Sequence, residues 1–361
     1  MKHIRFSDVT ESEWNNWCSQ ISYSSLNHSY EYLKYNEVSY AVTNKSFAIY
    51  NTGSKDIIAL CPIFVEEVSY GPSKYKSVSM LNSPVPAPAI NYTNDVKEDS
   101  QRLRLVLTAL DDFVKENEIK RLYFKKSPLA YNLIDNYFYY TDMIDAGFQP
   151  VIFNVFYIDL NQTQEKLFAK LSPSHRKRIK NSIKEGQQVK VIDCTNSPEE
   201  ITKWFGKYKD AHISAVGRQT RPDISFSFME RYIHTGYGFL FINTVNDQPT
   251  SYLYCDGRNG LARGWSQANV KELEKKYSPR HLLEWEAIIY FHKKKFKKYE
   301  IGTKYVNGQF LYTVDEKLLN ISEFKRRYGG NSAPEYYYEK IMDSELKRMI
   351  YISKINEGGK G

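Results

Sequence analysis

The stretch Phe153-Asn154-Val155-Phe156-Tyr157-Ile158-Asp159-Leu160, followed by Gln164 to Gly186, decides how this chain is read. Its first eight residues are rich in aromatic and β-branched side chains and read as a strand. Gln164 to Gly186 changes to helical spacing and reads as one or two helices divided near Ser172-Pro173. Further strands are expected at Val189 to Asp193, Gly238 to Val245, Thr250 to Cys255 and Leu261 to Ala268. A helix from about Pro279 to Lys295 and a strand at Lys298 to Gly302 complete this half.

The other half shows the same order with different residues. Glu11 to Gln20 carries Trp14, Trp17 and Cys18 at helical spacing, and a second short helix is expected around Tyr30 to Tyr35. Ser46 to Tyr50 and Asp56 to Val65 read as strands joined through Asn51-Thr52-Gly53-Ser54, where glycine suits a tight turn. Ser83 to Pro88 is too proline-rich for a central strand. An amphipathic helix from about Arg102 to Asn117, buried along Leu103, Leu107, Leu110 and Val114, then leads into a strand at Lys120 to Phe124. Each half therefore ends in strands, a helix and another strand. That order predicts an α+β protein of two tandem domains, each a mixed, mostly antiparallel sheet flanked by helices. The expected boundaries are 1–150 and 151–345 with a C-terminal tail at 346–361, the junction falling near Gly147-Phe148-Gln149-Pro150.

Composition narrows the function classes. The 361 residues are 42% hydrophobic and 25% charged, which fits a globular protein and excludes disordered or fibrous classes. Mean hydropathy is -0.57, and apolar runs such as Ile57 to Val65 are too short to cross a bilayer. The N-terminus lacks the apolar core of a secretory signal, so a cytoplasmic location is expected. Cys18, Cys61, Cys194 and Cys255 form no C-x-x-C pair, which points away from zinc knuckles and disulfide frameworks. Residues 1–150 hold 15 Lys and Arg against 18 Asp and Glu, a net of -3, whereas residues 151–361 carry a net of +11. The second half therefore favours an anionic partner, be it a nucleotide pyrophosphate, coenzyme A, tRNA or an acidic membrane surface.

Specific motifs add a resemblance. Ile158-Asp159-Leu160, Leu167 to Leu171, His175-Arg176-Lys177-Arg178-Ile179-Lys180 and Glu185-Gly186 resemble the strand and basic helix that open the second domain of FemAB-type transferases. Tyr277 to Trp285, Tyr299-Glu300-Ile301-Gly302 and Ile321 to Gly330 are similar to that family's helix, strand and closing Phe-Lys element, in the same order. The resemblance implies two GNAT-like domains and transfer of an acyl or aminoacyl group onto an amine of a cell-envelope precursor. The implied donor is acyl-CoA or aminoacyl-tRNA, with no tightly bound cofactor. The implied acceptor is a nucleotide-linked amino sugar or a muropeptide, held in the cleft between the domains. Two departures stand out: no long charged heptad stretch for a helical-hairpin arm, and no Q/R-x-x-G-x-G/A acyl-CoA loop.

Within this frame several residues become candidates. The first turn of the Pro279 helix, at Arg280 and Leu282, offers backbone donors and one cation to a donor phosphate. Arg176 and Lys180 share a helical face suited to phosphate. Lys325, anchored by Phe324, can hold a phosphate or an oxyanion. Glu284 and His281, three residues apart, are candidate bases. Tyr252, Tyr254, Trp265, Tyr305 and Phe324 are candidates for an acceptor pocket. No third ligand accompanies His281 and Glu284 at a metal-site spacing, so no metal is expected. DNA is not an expected partner, whereas peripheral contact with the inner membrane surface is compatible with the charge. Two other classes remain open on sequence: a non-catalytic glycan-binding module of the same fold, and an RNA-binding protein.

Overall fold

The computed structural model describes residues 2–21, 24–54, 56–70, 73–93, 95–126, 143–307 and 314–358. It opens with strand β1 (Lys2–Arg5) and helices α1 (Glu11–Gln20) and α2 (Tyr30–Tyr40). A capping box starts α1: the Thr10 side chain accepts from the Glu13 amide, and the Glu13 carboxylate accepts from the Thr10 amide. Trp14 and Cys18 are buried, as their helical spacing requires. Strands β2 (Thr43–Asn44), β3 (Phe47–Asn51), β4 (Asp56–Cys61), β5 (Phe64–Tyr70), β6 (Ser73–Val78), β7 (Val85–Pro86) and β8 (Ala89–Ile90) follow. The run expected as one strand from Asp56 to Val65 is two, because Pro62 between them has no amide to continue a ladder. Helix α3 (Val96–Asn117) begins at Val96 rather than Arg102, capped by Asp95, whose side chain accepts from the Glu98 amide. Leu103, Val106, Ala109 and Leu110 are its buried residues, and strand β9 (Arg121–Lys126) comes next.

The second run of elements is β10 (Gln149–Asp159), α4 (Gln164–Lys170), α5 (Pro173–Lys184), β11 (Gln187–Ile192), α6 (Pro198–Val216) and α7 (Asp223–His234). Ser172 caps α5 and Pro173 fills its first turn, so the break at Ser172-Pro173 divides two helices. Then come β12 (Gly238–Val245), β13 (Gln248–Arg258), β14 (Leu261–Asn269), α8 (Lys271–Tyr277), α9 (Arg280–Lys293), β15 (Lys298–Lys304), α10 (Glu316–Arg326), β16 (Asn331–Ile341) and α11 (Ser344–Gly358). The segment 346–361, read as a tail, is mostly this last helix, with Leu346 and Ile350 buried; residues 359–361 lie outside the described residues. No helix among the described residues is long and apolar enough to cross a membrane.

These elements form two compact units. One comprises Met1–Asn154, Tyr305–Leu319 and Pro334–Gly361; the other comprises Val155–Lys304 and Asn320–Ala333. The first unit holds a sheet in the order β1-β3-β4-β8 and a second in the order β16-β9-β6-β5-β2, with β7 on β9. The second unit's sheet runs β11-β12-β13-β14-β15-β10. Strands β11 to β14 are antiparallel, and α9 then returns the chain so that β15 lies parallel to β14. The first unit repeats the move, with β5 and β6 antiparallel, α3 returning, and β9 parallel to β6. The tandem, mostly antiparallel α+β arrangement is therefore present in both units.

Both faces of the second sheet are covered. Phe239, Phe241, Leu253 and Cys255 point into a core with α9, whereas Leu240, Ile242, Tyr252 and Tyr254 point into another with α6 and α7. Successive residues on a strand face opposite ways, so β12 and β13 read as continuous apolar runs.

The first unit is tied by a buried ion pair. Arg121 on β9 donates from Nε to Glu339 on β16 at 2.7 Å and pairs through Nη2 at 2.6 Å, both side chains being 2% exposed. Its Nη1 also donates to Asn82 at 3.3 Å. Removal of the carboxylate leaves a desolvated guanidinium, so Glu339→Ala is expected to cost about 3–5 kcal/mol, read as a fall in the urea midpoint. Replacing both partners with apolar residues of similar volume should recover most of that loss.

Candidate functional site

The site grows from the point where two parallel strands part. Strands β14 and β15 pair from Leu261↔Lys298 to Arg263↔Glu300, after which β14 continues on β13 and β15 continues beside β10. At the same level the β13/β14 register shifts, with Tyr254 opposite Ser266 and Cys255 opposite Gly264, so Trp265 is the extra residue of a bulge. Bulges re-aim side chains and gather beside active sites. Gly264 matters here because a Cβ on it would lie 2.9 Å from the Tyr299 hydroxyl.

Tyr299 on β15 is fully buried and donates from its hydroxyl to Glu284 Oε1 on α9 at 2.7 Å. Cys255 Sγ lies 3.8 Å from the same hydroxyl. Burial pushes the Glu284 carboxyl above its ordinary value, against the Tyr299 hydrogen bond and the charges of Lys325 and Arg280, which lower it. Burial also raises the Tyr299 phenol and the Cys255 thiol.

Lys325 enters from α10. Its Nζ donates to the Thr303 carbonyl at 3.5 Å and lies where a Cβ on Gly302 would come within 2.7 Å. Gly302 has φ +122, a conformation open to glycine. Burial lowers the Lys325 ammonium, while Glu284 and Glu300 hold it up. The two shifts bring a carboxyl and an ammonium toward each other in proton affinity, an arrangement suited to acid and base work.

The segment after Lys325 is fixed by close backbone approach. Ser172 donates from its amide to the Arg327 carbonyl at 2.8 Å. Gly329 has φ +73, and a Cβ there would fall 2.1 Å from the Lys170 carbonyl oxygen. Phe324, next to the lysine, packs its ring 5.1 Å from His175, 5.2 Å from His281 and 5.5 Å from Tyr328. His281 therefore belongs to this ring cluster, its Nδ1 3.4 Å from the Ser278 carbonyl.

The phosphate-binding candidates divide. Helix α9 starts without a side-chain cap, with Arg280 exposed and Leu282 buried. Arg176 and Lys180 do share a face, as their spacing requires. Arg176 donates to the Ala169 carbonyl at 2.8 Å and to Leu171, capping the end of α4, and Lys180 lies 5.9 Å from the Phe168 ring. The aromatic candidates lie elsewhere. Tyr252, Tyr254 and Trp265 pack on the α6/α7 face of the sheet, opposite the face that carries Cys255, and the Tyr254 hydroxyl donates to the Met229 carbonyl. Tyr305 falls in the first unit. Among the described residues no group of three His, Cys, Asp or Glu is placed to hold a metal. The structure adds Tyr299, Glu300, Gly302, Tyr328 and His175, which residue type alone did not single out. A glycine inside a strand, at 302, was the available signal, since it marks close approach.

With this geometry in view, the fold is that of FemAB-type, GNAT-like proteins. Among solved structures the chain is similar to FemX, with a TM-score of 0.71 at 11% identity over 97% of this chain and 100% of that one. It is also similar to L-PGS from Bacillus licheniformis, with a TM-score of 0.53 at 12% identity over 90% and 96%. A third is the C-terminal domain of a protein assigned as a lysylphosphatidylglycerol synthetase from Agrobacterium fabrum, with a TM-score of 0.55 at 10% identity over 96% and 97%. No family model matches the sequence, and no curated protein does.

His175 supplies a test of the site's packing. It is 2% exposed, and burial, reinforced by His281, lowers it from 6.5 to about 4. The unfolded chain takes that proton first, so its contribution to stability is complete above pH 6.5 and is lost as the pH falls toward 4. His175→Phe should flatten the decline of denaturation free energy across that window, by on the order of 3 kcal/mol.

Proposed function

We propose that the protein is an N-acyltransferase that moves an acyl or aminoacyl group onto an amino group of a cell-envelope precursor, either a nucleotide-linked amino sugar or a muropeptide. The observation that carries the reading is the half-buried Lys325 ammonium beside the Glu284 and Tyr299 pair, where β14 and β15 part. Likeness to FemX and to the lysylphosphatidylglycerol synthetase domain supports aminoacyl transfer as its chemistry. The acceptor nitrogen attacks the donor carbonyl carbon, forming the C–N bond. The carbonyl oxygen then carries negative charge, which the Lys325 ammonium stabilises. Collapse breaks the C–O bond of an aminoacyl ester or the C–S bond of a thioester. Glu284, held protonatable by burial, takes the proton the amine loses, and the leaving oxygen or sulfur receives it.

The first-turn amides of α9 with Arg280 would hold a donor phosphate. His281 and Phe324 position the Lys325 helix, and Arg176 with Lys180 supports that site from α5. We assign the first unit a scaffold role, since beyond Val78↔Leu122 strand β7 pairs with β9 and covers the corresponding parting. The reading calls for no resident cofactor and no metal, and places the reaction on the cytoplasmic side of the membrane.

The test is a transfer assay with aminoacyl-tRNA and acetyl-CoA as donors and nucleotide-linked muropeptides and amino sugars as acceptors, with products read by mass spectrometry. Lys325→Ala should lower kcat about 100- to 1,000-fold with the fold retained. Gly302→Ala, which displaces the ammonium, should lower it in the same direction. Activity should also fall as pH rises through a value below the ordinary lysine range, because burial lowers Lys325. Turnover of neither donor would overturn the proposal in favour of a non-catalytic glycan-binding module.

A further inference from the structure

We infer that the surface around Trp204 on α6 docks the sugar-phosphate backbone of a nucleic acid, and that in this protein it holds the body of a donor tRNA; the second clause rests on the aminoacyl-tRNA form of the reading above. Three ammonium groups converge on one indole. Lys207 Nζ lies 4.6 Å from the ring centroid, Lys190 Nζ 5.2 Å and Lys203 Nζ 5.8 Å. Trp204 is half-buried and packs against the α6/α7 core, so the ring is held as a platform.

The charges are not balanced locally. Lys190, on the edge strand β11, pairs with Glu200, but among the described residues Lys203 and Lys207 pair with no carboxylate. Both are exposed on the same helix at a four-residue spacing, where like charges repel. The indole quadrupole offsets part of that repulsion, and a line of phosphates would offset the rest. Three points within 6 Å of one centre lie at most about 12 Å apart, a length over which a nucleic-acid duplex presents several phosphates. A fixed aromatic among lysines also suits unpaired nucleotides, whose bases stack while the cations track the backbone. The second half's net charge of +11 would steer such a polyanion toward this unit.

Filter binding of uncharged tRNA to the full chain across a range of KCl tests this, with Lys203→Ala/Lys207→Ala and Trp204→Phe as variants. Far-ultraviolet circular dichroism checks that each variant keeps its fold. The double variant should bind at least 10-fold more weakly in low salt, and its slope of log affinity against log salt should be shallower by about 2. Trp204→Phe should abolish the indole fluorescence change that tRNA produces in the parent chain. Unchanged affinity and slope in the double variant would overturn the surface while leaving tRNA-dependent transfer intact. If the parent chain ignores tRNA but uses acetyl-CoA, the donor assignment and this surface both fall, while acyl transfer stands. Lysine-dependent binding to vesicles of anionic lipid, with none to tRNA, would likewise overturn it. Transfer from acetyl-CoA, where it occurs, should be unaffected by the double variant.

Discussion

Strands β14 and β15 can share hydrogen bonds over only three residue pairs, and the site depends on that limit. The bulge at Trp265 turns β14 away just as β15 continues to Lys304 on its other neighbour, so the backbone opens while each strand keeps one partner. An opening of this kind places unpaired backbone groups beside a helix start, which is where ligands of sheet-and-helix proteins commonly sit. Tyr299 and Glu300 project at the parting, α9 brings Glu284 down onto Tyr299, and α10 brings Lys325 over Gly302. Shifting the bulge by one residue would exchange the faces of the following β14 side chains and break the match between Gly264 and the Tyr299 hydroxyl.

The two units make different use of one arrangement. In the first, β6 and β9 are also parallel over a short stretch, yet Val85 and Pro86 then pair with Phe124 and Lys125, so β9 gains a new neighbour as it leaves β6. Arg121 and Glu339 add a buried, hydrogen-bonded ion pair beside that junction. Such a pair is weak evidence for stability compared with apolar packing, but it defines register between β9 and β16 because a slip would strand both charges. The second unit has no β7-like strand among its described elements, and polar side chains occupy the parting instead.

Much of this was legible in the sequence because pattern and burial agree. The strand-helix-helix order from Phe153 to Gly186 and the strands from Gly238 to Ala268 follow local preference, and Ser172-Pro173 divides α4 from α5. Helices α6 and α7, β16 and α11 were not read, although Ile201, Phe205, Tyr208 and His212 on α6 and Phe226, Met229 and Ile233 on α7 recur at helical spacing and are buried against the sheet. The candidate site was half legible. Lys325, Phe324 and Glu284 stand together with Tyr299, but Tyr252 and Tyr254 alternate with Leu253 and Cys255, and only the assembled sheet shows that the tyrosines face α6 and α7. Arg176 reads as a phosphate ligand by residue type. In the fold its guanidinium meets the carbonyls left open at the end of α4, a role that depends on how α4 and α5 turn against each other.

The polar cluster also explains itself energetically. Burying Glu284, Tyr299 and Lys325 among Phe291, Tyr328 and Leu283 desolvates groups that a purely structural core would replace with apolar side chains at little cost. Each is partly compensated: the phenol donates to the carboxylate, and the ammonium donates to the Thr303 carbonyl in the field of the Glu284 and Glu300 charges. That compensation makes the cluster tolerable but does not account for its presence, because an apolar core would need no such network. The directions of the shifts bear on that: burial raises the Glu284 carboxyl and lowers the Lys325 ammonium, so their proton affinities approach each other. A polar pair kept at the parting of two strands, against stability, is the pattern expected where titratable groups serve function rather than packing, and the transfer reading proposed above rests on that pattern.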